Sequence, residues 1–202
     1  MTIGIINYGV GNIHGIKNMF RRIAIDAELV EAPNSIFDYS HIILPGVGSF
    51  DHAIQNLHTK GFFEKLLCLK STNIKLLGVC LGMQMLLESS EEGQMEGLGL
   101  IPGKVKKFDH NFTMGKPIPQ MNWNTIAPIK PSGSFSNLNN SSYYFANSYI
   151  ASNIESEHQL FVTTYGSQFT SGVQSDNVLG VQFHPEKSHF NGMRFLRAFA
   201  AL

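Results

Sequence analysis

Apolar and polar positions along this chain change period several times. Thr2 to Asn7 is a short β-branched run that stops at Tyr8-Gly9-Val10-Gly11-Asn12. Ile13, Ile16, Met19, Phe20 and Ile23 then recur at three- and four-residue spacings, which predicts a helix with one apolar face. Ala27 to Glu31 and His41 to Leu44 read as further strands, and Pro45-Gly46-Val47-Gly48 breaks the pattern before a helix beginning near Asp51. Lys75 to Val79 reads as another buried strand, followed by a helix over Leu81 to Glu88. This strand–helix alternation predicts an α/β fold, a mainly parallel central sheet flanked by helices on both faces.

The second half has another texture. From Gly97 to Asn177 it is rich in Gly, Pro, Asn, Ser and aromatic residues, with short strand-like pieces at Lys104 to Phe108, Tyr143 to Ala146 and His158 to Thr164. A further strand follows at Val178 to Phe183. That pattern predicts mixed or antiparallel strands joined by longer loops. Pro128 to Ser142, dominated by Ser, Asn and Gly, is expected to be a mobile loop, and Phe190 to Ala201 a closing helix. No repeat or composition boundary divides residues 1–202, so one domain is expected.

Hydrophobic residues make up 43% of the 202, enough for a sizeable core, which excludes disorder of the whole chain. Fifteen basic residues balance fifteen acidic ones. With no net charge and no basic block, the chain has little attraction for nucleic acid or anionic lipid, and such a surface favours association with a protein partner. The longest nearly apolar stretch, Leu76 to Leu87, is too short to span a bilayer. The start, MTIGIINYGVGN, has no basic n-region or cleavage site. A soluble, cytoplasmic protein is expected. The eight histidines do not cluster at metal-ligand spacing, and no metal or other cofactor is expected.

Gly78-Val79-Cys80-Leu81-Gly82 lies between a predicted strand and a predicted helix. It is the cysteine counterpart of the G-x-S-x-G nucleophile elbow, whose glycines relieve crowding around a strained turn. At the start of a helix the sulfur would gain from the dipole, and the Leu81 N–H becomes an oxyanion donor. The alternative for any lone cysteine is a buried core position, which suits Cys68 in Leu66-Leu67-Cys68-Leu69. For Cys80 a partner exists in Val181-Gln182-Phe183-His184-Pro185-Glu186. His184 can take the thiol proton, and Glu186, one proline away, can orient the ring. Glycines in Leu44-Pro45-Gly46-Val47-Gly48-Ser49-Phe50 leave a peptide free to turn its N–H toward an oxyanion. Tyr8-Gly9-Val10-Gly11-Asn12 is not a dinucleotide fingerprint, because its third glycine is misplaced.

Gly78-Val79-Cys80-Leu81-Gly82-Met83-Gln84 together with Phe183-His184-Pro185-Glu186-Lys187-Ser188 resembles the triad-type (class I) glutamine amidotransferases. Asn7-Tyr8-Gly9-Val10-Gly11-Asn12, the Leu44-to-Phe50 segment and Met121-Asn122-Trp123-Asn124 are similar to one branch of them, the glutaminase subunits of imidazole glycerol phosphate synthases. The resemblance runs over essentially the whole chain. It implies that Cys80 attacks the amide of glutamine, with His184 as base and acid and Glu186 as its orienter. Leu81 and a peptide among Gly46, Val47 and Gly48 would bind the oxyanion. Gly48, Gln84, Ser148 and Tyr149 would contact glutamine. The implied partner is a (β/α)8-barrel cyclase forming a heterodimer, with Asn12, Met121, Trp123 and Lys187 near the interface.

The resemblance also admits a paralogous subunit that feeds ammonia to an enzyme amidating a surface sugar. A free-standing thiol hydrolase shares the elbow but lacks His-Pro-Glu, and intact Cys80, His184 and Glu186 argue against a dead binding subunit. Two segments depart from the branch. Gln120-Met121-Asn122-Trp123-Asn124 stands where it has His before Met-Gly-Trp-Asn, and Asn147-Ser148-Tyr149 where it has His-Ser-Tyr or His-Thr-Tyr.

Overall fold

The computed structural model describes residues 2–129 and 133–202. Its strands are β1 (Ile3–Ile6), β2 (Ala27–Val30), β3 (His41–Leu44), β4 (Lys75–Val79), β5 (Ser89–Ser90), β6 (Lys104–Lys107) and β7 (Gln120–Thr125). There follow β8 (Ala127–Pro128), β9 (Ser142–Asn147), β10 (Tyr149–Ser152), β11 (Gln159–Tyr165), β12 (Ser167–Ser175) and β13 (Val178–Val181). The helices are α1 (Ile13–Arg22), α2 (Phe50–Thr59), α3 (Phe63–Cys68), α4 (Leu81–Met85) and α5 (His189–Ala200).

The strands β2-β1-β3-β4-β13 run parallel in that order. Past β13 the sheet turns antiparallel through β12, β10 and β6, with β11 on the flank of β12. A separate antiparallel pair, β7 and β9, lies beside it. Alternate residues of the parallel strands feed two cores. Ile3, Ile5, Ile43, Leu77, Val79 and Val181 pack with α1 and α5, whereas Ile42, Leu44, Leu76 and Val178 pack with the apolar faces of α2, α3 and α4. Both faces of the parallel half are therefore covered, which is why its strands carry uninterrupted apolar runs.

Several expectations are corrected. The helix after Cys80 ends at Met85 rather than Glu88, because the carbonyls of Met85, Leu86 and Leu87 accept the N–H groups of Leu98, Ile101 and Gly99. Residues 98–101 thus take the acceptors that another helical turn would use. The expected mobile loop from Pro128 to Ser142 includes residues 130–132, which lie outside the described residues. The rest of it is tied down: Phe135 and Leu138 are buried, and Phe135 stacks on Phe195 at 5.5 Å. Cys68 is exposed rather than buried, since α3 turns Leu66 inward instead. No helix among the described residues is long and apolar enough to cross a membrane.

Candidate active site

The elbow forms where β4, between β3 and β13 in the parallel half, meets α4. Cys80 holds φ 54° and ψ −110°, a left-handed conformation that a side chain adopts only when its surroundings enforce it. Its N–H donates to the Val181 carbonyl at 2.8 Å. The flanking glycines are required by contact. A Cβ at Gly78 would meet the Gly82 carbonyl oxygen at 2.6 Å, and one at Gly82 would meet the Leu44 carbonyl oxygen at 2.0 Å. Gly46 is pressed onto the same turn, its Cβ direction ending 2.5 Å from the Gly82 nitrogen. The Pro45-to-Gly48 loop and the elbow are thus packed backbone to backbone.

Tyr8 adds a fixed point to that loop. Its buried hydroxyl donates to the Pro45 carbonyl at 2.8 Å. Burial first, and the negative charge of Cys80 second, raise its pKa far above the ordinary phenol value.

His184 leaves the end of β13 in extended conformation, and the turn at Pro185 sets Glu186 beside it. Nδ1 of His184 lies 2.9 Å from Oε1 of Glu186, and both side chains are almost fully buried. The His184 N–H donates to the Tyr144 carbonyl at 2.9 Å, and the Ser188 hydroxyl donates to the His184 carbonyl at 2.6 Å. On its other side the ring feels the charge of Cys80. Burial disfavours a charged imidazole here, but the sulfur anion and the Glu186 carboxylate outweigh it, and the pKa is pushed up from 6.5 to about 10. These charges favour the imidazolium form of His184. Helix α4 has five residues, so the dipole expected to act on the sulfur is small.

The sulfur opens into a pocket of about 350 Å³. Val47, Gly48, Leu81, Gln84, Ser148 and Tyr149 line it, as does Lys187. Gly46 does not; it lies behind, against Leu81 and Gly82. Glu92 also lines the pocket and went unnoticed in the sequence. Its Oε2 accepts the Phe50 N–H at 3.0 Å, and burial, with a further push from Asp51, raises its pKa above the ordinary carboxylate value. Nothing in its spacing to Cys80 marks it, because it reaches the pocket through the turn after β5.

Of the residues expected at a partner surface, Met121 and Trp123 are 63% and 46% exposed, high for such apolar side chains. Trp123 stacks on His189 at 5.4 Å. Asn12 caps α1 by accepting the Gly15 N–H, and its Nδ2 donates to Oε1 of Glu186 at 3.4 Å, linking the exposed face to the buried carboxylate. Lys187 reaches over the Tyr144 ring at 5.7 Å. Among the described residues no group of three or more His, Cys, Asp or Glu is placed to hold a metal ion.

Residues 4–201 match the family model of glutamine amidotransferase class-I. The chain is 42% identical to imidazole glycerol phosphate synthase subunit HisH of Leptospira interrogans, over 99% of this chain and 100% of that protein. It is 44% identical to subunit HisH 2 of Methanococcus maripaludis, over 98% of each. The fold matches a crystal structure of a glutamine amidotransferase with TM-score 0.77 at 17% identity, covering 98% of this chain and 97% of that one. It also matches the structure of PurLQS from Thermotoga maritima with TM-score 0.76 at 17% identity, covering 99% and 97%.

Proposed function

The chain belongs to the class-I glutamine amidotransferases, and on that premise we propose that it is the glutaminase subunit of imidazole glycerol phosphate synthase, hydrolysing glutamine to glutamate and ammonia for histidine biosynthesis. The observation that carries the chemistry is the buried contact series Cys80–His184–Glu186 opening into one pocket. The observation that carries the pathway is the near-complete mutual coverage with HisH relatives.

In this reading the Cys80 thiolate attacks the carboxamide carbon of glutamine, and the oxyanion is met by the Leu81 N–H and a peptide of the Gly46–Val47–Gly48 segment. His184 gives a proton to the leaving nitrogen, and ammonia departs from the glutamyl thioester. Neutral His184 then takes a proton from water, whose oxygen attacks the thioester. Glutamate leaves and the thiolate–imidazolium pair returns. Glu186 keeps the ring in orientation throughout. Gly48, Gln84, Ser148 and Tyr149 contact the substrate, and Glu92, the carboxylate lining the pocket, takes its ammonium group. All of this is assigned to one domain over residues 1–202, working in the cytoplasm.

The partner proposed is a (β/α)8-barrel cyclase docking over Asn12, Met121, Trp123 and Lys187. It would receive ammonia directly and raise glutaminase activity once its own phosphoribosyl ligand binds. Glutamate release should be measured for the chain alone and mixed with the barrel of the same organism, with and without that ligand. Strong stimulation by barrel plus ligand supports the assignment. No stimulation, in protein whose Cys80 is shielded by glutamine from alkylation, moves the acceptor to another enzyme, such as one amidating a surface sugar.

A further inference from the structure

Gln182 is fully buried between the core residues Val181 and Phe183, and the reaction written above gives it no task. A polar amide in such a place is costly unless its groups are used. Its Nε2 lies 3.7 Å from Sγ of Cys80, and its Oε1 accepts from Nε2 of Gln84 at 3.0 Å. We propose that Gln182 is a positioning residue for the nucleophile: its N–H holds the Cys80 sulfur and favours the thiolate, and Gln84 fixes which end of the amide faces it. The contact stands by itself; its use in glutamine hydrolysis rests on the function proposed above.

The polarity of this chain of amides is determined. The other hydrogen on Nε2 of Gln84 goes to the Tyr149 carbonyl at 3.3 Å, so both its donors are engaged. Reversing Gln182 would set its NH2 group against that of Gln84 and aim a carbonyl oxygen at the thiolate. Both contacts are repulsive and buried. A neutral amide suits this task for a second reason. It stabilises the anion through a charge-assisted hydrogen bond but has no basic site that competes with His184 for the proton. The other titratable groups facing the sulfur are His184, from the end of β13, and Tyr8, from the end of β1, whose hydroxyl is committed to Pro45. Glu186 stands behind His184, and Glu92 and Lys187 line the pocket farther out. Gln84 lines the pocket as well, so the chain connects the substrate site to the sulfur.

The test is the pH dependence of Cys80 alkylation by iodoacetamide, in a Cys68→Ser background because Cys68 is an exposed free thiol. Gln182→Met keeps length and removes the donor, and its alkylation midpoint should move up by about one pH unit. Gln182→Leu likewise removes the donor, with no group that can replace it, and should move the midpoint in the same direction. A midpoint equal to the parent's, in either variant with a normal thermal transition, overturns the proposal; if Gln182→Met fails to fold, Gln182→Leu decides. Protection of Cys80 by glutamine in the parent is scored separately. Its absence overturns the glutaminase reading whatever Gln182 does.

Discussion

Gln120 and Asn147 face each other directly across β7 and β9, and each leaves a buried side-chain oxygen without a hydrogen-bond donor among the described residues. Their amide nitrogens are committed elsewhere: Nε2 of Gln120 to Asn122 at 3.2 Å, and Nδ2 of Asn147 to the Tyr149 carbonyl at 3.0 Å. The three positions at which the chain departs from the branch it resembles, 120, 122 and 147, therefore form one unit at the edge of the pocket. Residues so placed are energetically coupled. In urea unfolding, the Gln120→Leu and Asn147→Leu variants should lose more stability added together than the double variant loses, by about 0.5–3 kcal/mol. Strict additivity would mean that the two side chains act independently.

The raised pKa of His184 depends on the anion beside it. In the Cys80→Ala protein that charge is gone, burial regains weight, and the ring should titrate well below about 10, back toward 6.5. The sign follows from the charges: removing a neighbouring anion disfavours imidazolium, so the proton leaves at lower pH. Imidazole NMR resonances followed from pH 5 to 11 would report it. An unchanged titration would show that Glu186 alone sets the value.

Glu92 binds the substrate ammonium only as a carboxylate, and its pKa is already raised by burial. As pH falls, it is therefore protonated before an ordinary carboxyl group is. KM for glutamine should climb as pH drops through that raised range, with a smaller change in kcat. Glu92→Gln should have a high KM that is flat over the same interval. If KM in the variant follows the parent's curve, the ammonium lies elsewhere.

Gly82 has no room for a methyl group, because the Leu44 carbonyl oxygen stands 2.0 Å from its Cβ direction and belongs to a central strand. Gly82→Ala should lower stability by more than ~3 kcal/mol, through displaced backbone rather than lost function. Gly48 has open space around it but a φ of 92°, so Gly48→Ala should cost only about 1–2 kcal/mol. Thermal unfolding of the two variants compares them directly; equal losses would contradict the packing described for the elbow.

The parallel half of the sheet was legible because its signals are local. Each of β1, β3 and β4 is a mostly apolar run followed within three residues by a glycine, and a run buried on both faces reads the same whatever its neighbours are. The elbow at Cys80 was legible for the same reason, since the steric need for Gly78 and Gly82 is written within five residues. His184 and Glu186 sit two residues apart on a proline turn, so their pairing with each other was visible as well. The antiparallel half was read less completely: β7, β10 and β12 went unseen, because their half-polar strands make sense only beside the partners that cover them.

The sequence by itself determined the alternation of strand and helix, the strained turn that presents the sulfur, and the residue types able to act on it. Only the tertiary structure decided that Glu92 lines the pocket, that Tyr8 pins Pro45, that Gln182 touches the sulfur and that Gln120 opposes Asn147. Spacing along a chain encodes burial period and turn sterics within a few residues. Contacts between segments far apart in the chain depend on strand order and register, and those are set by the packing of the whole sheet.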